Sequence, residues 1–154
     1  MATLDVGCGT GYLTRFLRGY TVGADFSGRM LQQAAGRRAA AGSVRADALR
    51  LPFEEASFGR VFSSHFYGRL KKEERLRFLS EARRVAPSIV VLDTPYQADR
   101  AGEGPQEREL LDGSTYTIYK KYFRPDELLE EIGGGEILLF TSWFLAVQRE
   151  WRTT

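Results

Sequence analysis

Residues 3–13 read Thr3-Leu4-Asp5-Val6-Gly7-Cys8-Gly9-Thr10-Gly11-Tyr12-Leu13. A short apolar run enters a stretch in which every second residue is glycine, and apolar residues at helical spacing follow. This pattern predicts a strand, a tight turn and the start of a helix. Glycine suits the turn because the backbone can take positive φ and a ligand can approach without a Cβ in the way. The unpaired N–H groups of the helix start favour a nucleotide-like ligand, although an ordinary strand-to-helix loop shares the pattern.

The spacing of the glycines separates the candidate ligands. A dinucleotide-binding turn has the pattern G-x-G-x-x-G, usually with an acid about 20 residues further on. Here Gly7, Gly9 and Gly11 give G-x-G-x-G, and Tyr12 stands where the dinucleotide pattern has its third glycine. The spacing therefore disfavours a dinucleotide-dependent oxidoreductase.

The turn resembles the cofactor turn of class I S-adenosylmethionine-dependent methyltransferases. Further blocks resemble the same family in the same order along the chain: 21–31, with an acid at the strand end before a Ser-x-x-Met-Leu helix start, then 45–58, then 78–93. The resemblance covers nearly the whole chain. It implies S-adenosylmethionine as cofactor, S-adenosylhomocysteine as product and a small molecule as methyl acceptor.

The predicted strands and helices alternate, which implies an α/β fold with a doubly wound, mostly parallel, Rossmann-like sheet. The resemblance implies the strand order 3-2-1-4-5-7-6, with an antiparallel hairpin strand at the C-terminal end. The predicted strands are Thr3–Val6, Tyr20–Ala24, Val44–Ala46, Arg60–Ser64, Ile89–Leu92, Ile137–Phe140 and Phe144–Val147.

Helices are predicted between these strands. They cover Gly11–Arg18, then a segment capped by Ser27 that runs to Ala41, then Lys71–Val85, and a last helix from Pro125 to the glycines at 133–135. The third is expected to bury Leu76, Phe78, Leu79, Ala82 and Val85. The polar segment 95–114 is expected to form a loop with a short helix at Gln106–Leu111, before a minor strand at Tyr116–Tyr119.

Length and composition bound the class of protein. A chain of 154 residues, 43% hydrophobic and 27% charged, predicts one globular domain. The 22 basic residues nearly balance 20 acidic ones and are interleaved with them, which disfavours nucleic acid as substrate. No apolar run reaches the ~20 residues of a membrane helix. The single Cys8 suits a reducing cytoplasm, and one His with one Cys makes a zinc site improbable, so no metal is expected.

The resemblance also implies the cofactor contacts. Asp25 would accept hydrogen bonds from the ribose hydroxyls, Phe26 would pack on adenine, and Asp47 would accept from the adenine amino group. Each has a plainer alternative: an acid at a helix start, a core contact and a turn-forming aspartate. Cys8 near a helix start could hold an activated thiol, although a small residue needed for packing is favoured. The predicted cofactor-binding residues are Asp5, Gly7, Cys8, Gly9, Gly11, Tyr12, Asp25, Phe26, Met30, Asp47, Ala48, Ser63 and Ser64.

The catalytic prediction rests on a single residue. Methyl transfer from a sulfonium is a direct displacement that depends largely on positioning of the acceptor, and a base is needed only where the acceptor loses a proton. His65, the only histidine, follows the fourth strand and is the candidate base; a pocket wall or a surface position is the alternative. Aromatic residues after the fourth and fifth strands, Phe66, Tyr67 and Tyr96, suggest an acceptor pocket or an ordinary covering of the sheet.

The sequence as given departs from the family at its start. Met1 lies four residues before Asp5, so the usual helical cover over the cofactor is expected to be missing from this single domain of residues 1–154. A second subunit in a homodimer, or residues 95–114 acting as a lid, could supply it. The alternative function is a non-catalytic, methyltransferase-like partner subunit that binds the cofactor or only keeps the fold.

Overall fold

The computed structural model describes residues 1–151 and shows strands alternating with helices in its first half. The helices are α1 (Gly28–Gly36), α2 (Lys72–Val85) and α3 (Pro125–Glu131). The strands are β1 (Thr3–Val6), β2 (Thr21–Asp25), β3 (Gly42–Arg45), β4 (Arg60–Ser64), β5 (Ser88–Asp93), β6 (Glu103–Glu109), β7 (Thr115–Lys121), β8 (Glu136–Phe140) and β9 (Leu145–Glu150).

Seven of these strands form one sheet in the order β3-β2-β1-β4-β5-β9-β8. The first five in this order are parallel, whereas β9 runs antiparallel to both β5 and β8. The predicted α/β class, with a mostly parallel Rossmann-like sheet and an antiparallel C-terminal strand, is therefore confirmed. The strand numbers differ from the predicted order because β6 and β7, which pair only with each other, precede the last two sheet strands.

The core lies between the sheet and the helices that cover it. Leu4 and Val61 on neighbouring parallel strands are fully buried, because both faces of this part of the sheet are covered. Helix α2 contributes Phe78 and Ala82 to the core, but Leu76 is 49% exposed, so its predicted burial is wrong. Leu76 lies one residue after the buried Arg75, whose long side chain occupies the inward face there.

The segment after the glycine turn is shorter than predicted. A helix was expected over Gly11–Arg18, but only a 3-10 turn at Thr14–Phe16 forms. Gly11 and Gly19 both have positive φ, at 75° and 85°, so right-handed helix cannot extend through either. The turn is held instead from below, because the Thr14 hydroxyl donates to Asp5 at 2.6 Å.

Helix α1 begins as predicted and ends early. The Ser27 hydroxyl accepts from the Met30 N–H, which caps its first turn. The predicted end at Ala41 is wrong, since α1 stops at Gly36. Arg38 takes a φ of 52°, and the Ala39 N–H donates to the Ala34 carbonyl, a closing arrangement that terminates the helix. Within residues 1–151, no helix has both the length and the apolar character needed to cross a bilayer.

The segment expected to be a loop with a short helix is instead half of a β-hairpin. Strand β6 pairs antiparallel with β7 in register from Glu103–Lys121 to Glu109–Thr115. The predicted helix at Gln106–Leu111 is therefore wrong, and the predicted minor strand at Tyr116–Tyr119 is part of β7. Residues 110–114 close the hairpin, with Gly113 at a φ of 85°. The Asp112-Gly113 pair is a hairpin signal in the sequence that the helix prediction did not use.

Candidate functional site

A cavity of about 700 Å³ opens at the carboxyl ends of the parallel strands. We call it the turn cavity, because the glycine turn after β1 forms one of its walls. Asp25 at the end of β2 and Ser64 at the end of β4 form others. Crevices at strand ends are where open parallel sheets bind ligands. Its lining comprises Gly7, Cys8, Gly9, Thr10, Tyr12, Leu13, Asp25, Ser27, Met30, Ser64, His65, Phe66, Arg69, Leu70 and Phe144.

Each glycine of the turn has its own reason to lack a side chain. All three have positive φ, between 55° and 75°. A Cβ on Gly7 would lie 2.5 Å from the Phe66 ring, and one on Gly11 would lie 2.4 Å from the Ala39 Cβ. A Cβ on Gly9 would meet nothing within 4 Å, so that position faces open space. Gly7 and Gly11 thus serve packing, while Gly9 leaves the cavity wall free for a ligand.

The carboxylate of Asp25 ties the turn to the start of α1. Its Oδ2 accepts from the Gly9 N–H at 2.8 Å, and its Oδ1 accepts from the Ser27 N–H at 2.9 Å. The predicted alternative, an acid at a helix start, is therefore present in the structure. Because a carboxylate oxygen can accept more than one hydrogen bond, both oxygens keep capacity for a ligand in the cavity.

A smaller cavity of about 290 Å³, the side cavity, adjoins the turn cavity across Asp25 and Phe66. Phe26, Asp47 and Ala48 line it, as do Gly7 and Leu70. The Phe26 ring is 70% exposed, with the Arg45 guanidinium 5.6 Å from its centre, so it is not a core residue. Asp47 accepts from the Leu49 N–H through Oδ1, which leaves Oδ2 available. The side cavity thus offers an aromatic face and a carboxylate side by side.

Asp5 lies beneath the turn and lines neither cavity. Its side chain is 1% exposed, Oδ2 accepts from Thr14, and Oδ1 has no hydrogen-bond partner within residues 1–151. Burial raises the pKa of this carboxyl to about 7; the Thr14 hydrogen bond lowers it and the charge of Asp25 raises it further. Asp5 is therefore placed to support the turn from below.

The surroundings of Cys8 disfavour its thiolate form. Burial raises its pKa to about 12, and the negative charges of Asp5 and Asp25 raise it as well. Its sulfur packs against β2, since a Cβ on Gly23 would lie 3.0 Å from Sγ. The favoured reading of Cys8 as a small packing residue agrees with this environment.

His65 stands directly after β4, where its N–H donates to the Leu92 carbonyl at 2.8 Å. Its φ of 51° is a left-handed conformation that non-glycine residues seldom adopt, and such strain clusters at functional sites. The Nδ1 atom lies 3.8 Å from Asp93 Oδ1, and the ring centre lies 5.9 Å from that of Phe144. The imidazole, 40% exposed, therefore forms part of the cavity wall beside a buried carboxylate.

Asp93 links His65 to the hairpin. Its Oδ1 accepts from Lys120 of β7, and its Oδ2 accepts from the Gly68 N–H at 2.8 Å. Burial alone would raise the pKa of Asp93, but the contacts with His65, Lys120 and Gly68 outweigh it and hold the pKa below its usual value. Asp93 is thus an anion that fixes three elements around the mouth of the turn cavity.

Five of the predicted site residues line neither cavity, and Asp5, described above, is one of them. Gly11 packs against Ala39, as described above, and Ser63 is fully buried on the inward face of β4. Tyr67, predicted in the acceptor pocket, is instead a core residue, 0% exposed, whose hydroxyl donates to Glu131 at 2.6 Å. Tyr96, also predicted in the acceptor pocket, lines neither cavity, and its ring centre lies 4.3 Å from the Arg124 guanidinium. The alternation of side chains along β4 turns Ser63 inward, and the 3-10 turn at Tyr67–Arg69 turns Tyr67 into the core.

Sequence reasoning missed several residues that line the turn cavity. Thr10 and Leu13 belong to the turn itself and could have been included from its continuity. Arg69 ends the 3-10 turn at Tyr67–Arg69, Leu70 follows it, and Phe144 lies in the loop between β8 and β9. No sequence signal joins these distant segments, since only the folded sheet brings them to one edge.

Comparisons with known proteins agree with this architecture. Residues 4–88 match a family model described as "Methyltransferase domain". DhpI, solved in a complex with SAH, is 22% identical to the chain with a TM-score of 0.79, over 99% of this chain and 78% of DhpI. The PH0226 protein of Pyrococcus horikoshii OT3 is 16% identical with a TM-score of 0.77, over 98% of this chain and 83% of that protein. The glycopeptide N-methyltransferase MtfA is 16% identical with a TM-score of 0.69, over 99% of this chain and 89% of MtfA. A search of curated proteins gave no match.

Proposed function

The chain belongs to the methyltransferase-domain family, and on that premise we propose that it transfers a methyl group from S-adenosylmethionine to a small-molecule acceptor. The observation that carries the proposal is the continuous turn cavity and side cavity, which meet at Asp25. DhpI and MtfA, structural neighbours solved in complexes with SAM or SAH, support this choice of ligand.

The proposed pose follows from the chemistry of the two cavities. The side cavity would take the adenine against the Phe26 ring, with Asp47 Oδ2 accepting from the exocyclic amino group. Asp25 would accept from the ribose hydroxyls, in charge-assisted bonds worth about 1.5–3 kcal/mol each. The methionine part would lie along the open backbone at Gly9, with the sulfonium near the strand end at Ser64.

The reaction is a direct displacement at the methyl carbon. When bound, S-adenosylmethionine would supply its methyl carbon to a lone pair of the acceptor, the carbon–sulfur bond electrons would stay on sulfur, and the cofactor would leave as S-adenosylhomocysteine. Where the acceptor atom carries a proton, the His65 imidazole takes it. Asp93, 3.8 Å from Nδ1, would stabilise the imidazolium that forms.

Calorimetry tests the cofactor directly. We expect S-adenosylmethionine and S-adenosylhomocysteine to bind at micromolar Kd, about −7 to −8 kcal/mol, and NAD to give no binding signal. Binding of NAD without binding of S-adenosylmethionine would overturn the proposal. Binding of the cofactor with no transfer to any member of a metabolite panel would favour the non-catalytic partner subunit.

The role of His65 needs its own variant. His65→Gln should lower kcat while the Kd of S-adenosylmethionine stays unchanged, because the imidazole acts on the acceptor proton and not on the cofactor. The pH profile of kcat should lose its ascending limb in this variant. An unchanged kcat and profile would make His65 a wall residue only.

A further inference from the structure

A second large cavity lies on the other side of His65 from the glycine turn. Its volume is about 470 Å³, and we call it the cationic cavity. One side comes from the β6–β7 hairpin and the other from the loop between β8 and β9. Its lining comprises His65, Arg69, Thr94, Arg100, Arg108, Tyr116, Ile118, Lys120, Tyr122, Ser142, Trp143 and Phe144.

The charges around this cavity are all of one sign. Arg69, Arg100, Arg108 and Lys120 line it, and no acidic side chain does. Lys120 is neutralised by its buried ion pair with Asp93. Arg100 has only a loose contact, 3.5 Å, with Asp99, which is 74% exposed. Within residues 1–151, Arg69 and Arg108 form no ion pair, so three guanidinium groups face the cavity without firm compensation.

The positive charges around the cavity affect the pKa of a neighbouring tyrosine, Tyr122. The Arg100 guanidinium lies 4.9 Å from the centre of the Tyr122 ring. Burial would raise the pKa of Tyr122, but Gln106, Arg100 and Arg108 outweigh it and lower the pKa. The environment therefore favours negative charge at this position.

Arginine clusters of this kind suit an organic anion. The planar guanidinium presents paired donors that match the oxygens of a carboxylate or phosphate, and it also stacks on aromatic rings. Ile118, Trp143 and Phe144 add apolar surface beside the charges. A ligand with one anionic group and a small carbon skeleton would satisfy both parts of the lining.

The cationic cavity adjoins the turn cavity. His65, Arg69 and Phe144 line both, so a ligand held by the arginines would lie next to the cavity in which the methyl group is expected. We propose that the methyl acceptor is a small organic anion whose carboxylate or phosphate group is held by Arg69, Arg100 and Arg108. This inference rests on the proposed methyl transfer and names the acceptor class for that same site.

The test uses the whole chain saturated with S-adenosylhomocysteine, so that the turn cavity is filled. Inorganic phosphate and, separately, acetate are titrated at constant ionic strength, with binding followed by calorimetry. We expect one saturable site, weakened about tenfold or more by Arg108→Gln or Arg100→Gln, since each removes a charge-assisted contact. Arg108→Lys should lose less affinity for the anion than Arg108→Gln, because lysine keeps the positive charge. The control is Arg83→Gln, an exposed residue of α2 that lines neither cavity and should bind as the parent protein does.

The outcomes separate this inference from the proposed function. Phosphate preferred over acetate supports a phosphate-bearing acceptor, and the reverse order supports a carboxylate. If S-adenosylhomocysteine binds but neither anion saturates, or if Arg108→Gln and Arg83→Gln behave alike, the anionic acceptor is overturned and methyl transfer stands. If S-adenosylhomocysteine does not bind, the proposed function fails; Arg108-dependent phosphate binding would then still support an anion site.

Discussion

The turn cavity and the cationic cavity share a border at His65 but are built in different ways. One wall of the turn cavity is the backbone of the glycine turn after β1, and the Asp25 carboxylate beside that turn is held by two N–H groups. The cationic cavity is formed by side chains from segments that lie between residues 65 and 144. The geometry of a wall formed by the turn after a parallel strand is set by the local sequence. The geometry of a wall formed by side chains depends on how distant elements dock.

The hairpin is docked through two close contacts. A Cβ on Gly68 would lie 2.4 Å from the Lys121 carbonyl oxygen, so β7 approaches the 3-10 turn as nearly as two backbones can. Lys120 of β7 provides the second contact, since it donates to the buried Asp93 carboxylate. Arg75 holds the segment that follows the hairpin, because its guanidinium donates to Glu131 and to the Leu70 carbonyl and lies 5.2 Å from the Phe123 ring centre. The cationic cavity should therefore be more sensitive to changes in buried charge than the turn cavity.

The largest expected effect is a loss of stability at the buried Arg75–Glu131 ion pair. Arg75→Met leaves Glu131 without its buried partner and should lower the free energy of unfolding by about 3–5 kcal/mol in equilibrium urea denaturation. Arg77→Met, at an exposed position of the same helix, should change it by about 0.5 kcal/mol or less. Adding Glu131→Leu to Arg75→Met should restore part of the loss. Equal stability of the Arg75 and Arg77 variants would contradict this account of the docking.

The next effect is a loss of stability when a glycine of the turn is replaced. Gly11→Ala combines a left-handed conformation, costing about 1–2 kcal/mol, with an overpacked contact on Ala39, costing about 1–3 kcal/mol. Gly9→Ala should show only the first cost, because nothing lies within 4 Å of its Cβ position. In urea denaturation Gly11→Ala should thus be the less stable, while in calorimetry Gly9→Ala should lose affinity for S-adenosylmethionine. The reverse order of stabilities would refute the assigned roles.

A smaller effect is expected on cofactor binding when Asp25 of the turn cavity is replaced. Asp25→Ala should weaken S-adenosylmethionine binding by about 1.5–3 kcal/mol, roughly 10- to 150-fold in Kd by calorimetry. Some stability should be lost too, because the N–H groups of Gly9 and Ser27 lose their acceptor. The control is Asp126→Ala, at an exposed position at the start of α3. An unchanged Kd in folded Asp25→Ala would remove this residue from the site.

The last expected effect is a slope and not a fixed loss, at most about 1.4 kcal/mol per pH unit, and it concerns Asp5. Its pKa is raised from 3.8 to about 7 in the folded chain, so the folded state binds more protons than the unfolded state between these values. The stabilisation from the protonated carboxyl is complete below pH 4 and is lost as pH rises towards 7. Asp5→Asn, which stays neutral, should flatten the dependence of unfolding free energy on pH across that window. A slope equal to that of the parent chain would show that Asp5 does not cause it.

The sequence predicted the half of the molecule in which local pattern and packing agree. Strand β4 has the predicted bounds, and α2 begins one residue later than predicted and ends at Val85 as expected. The same agreement placed Gly9, Asp25 and Ser64 at one cavity, because residues at the carboxyl ends of neighbouring parallel strands must share an edge of the sheet. Period, turn chemistry and strand alternation were sufficient for that.

What the sequence alone determined was therefore the class of fold and the wall built by the glycine turn, since both follow from short-range backbone rules, while the family was indicated by the resemblance of its motifs. Tertiary structure alone decided that Tyr67 turns into the core, that residues 103–109 form a strand, and that Arg69, Arg100 and Arg108 meet around one cavity. These outcomes depend on pairing and docking between residues far apart in the chain. A polar strand such as β6 has no apolar period of its own and is defined only by the partner with which it pairs.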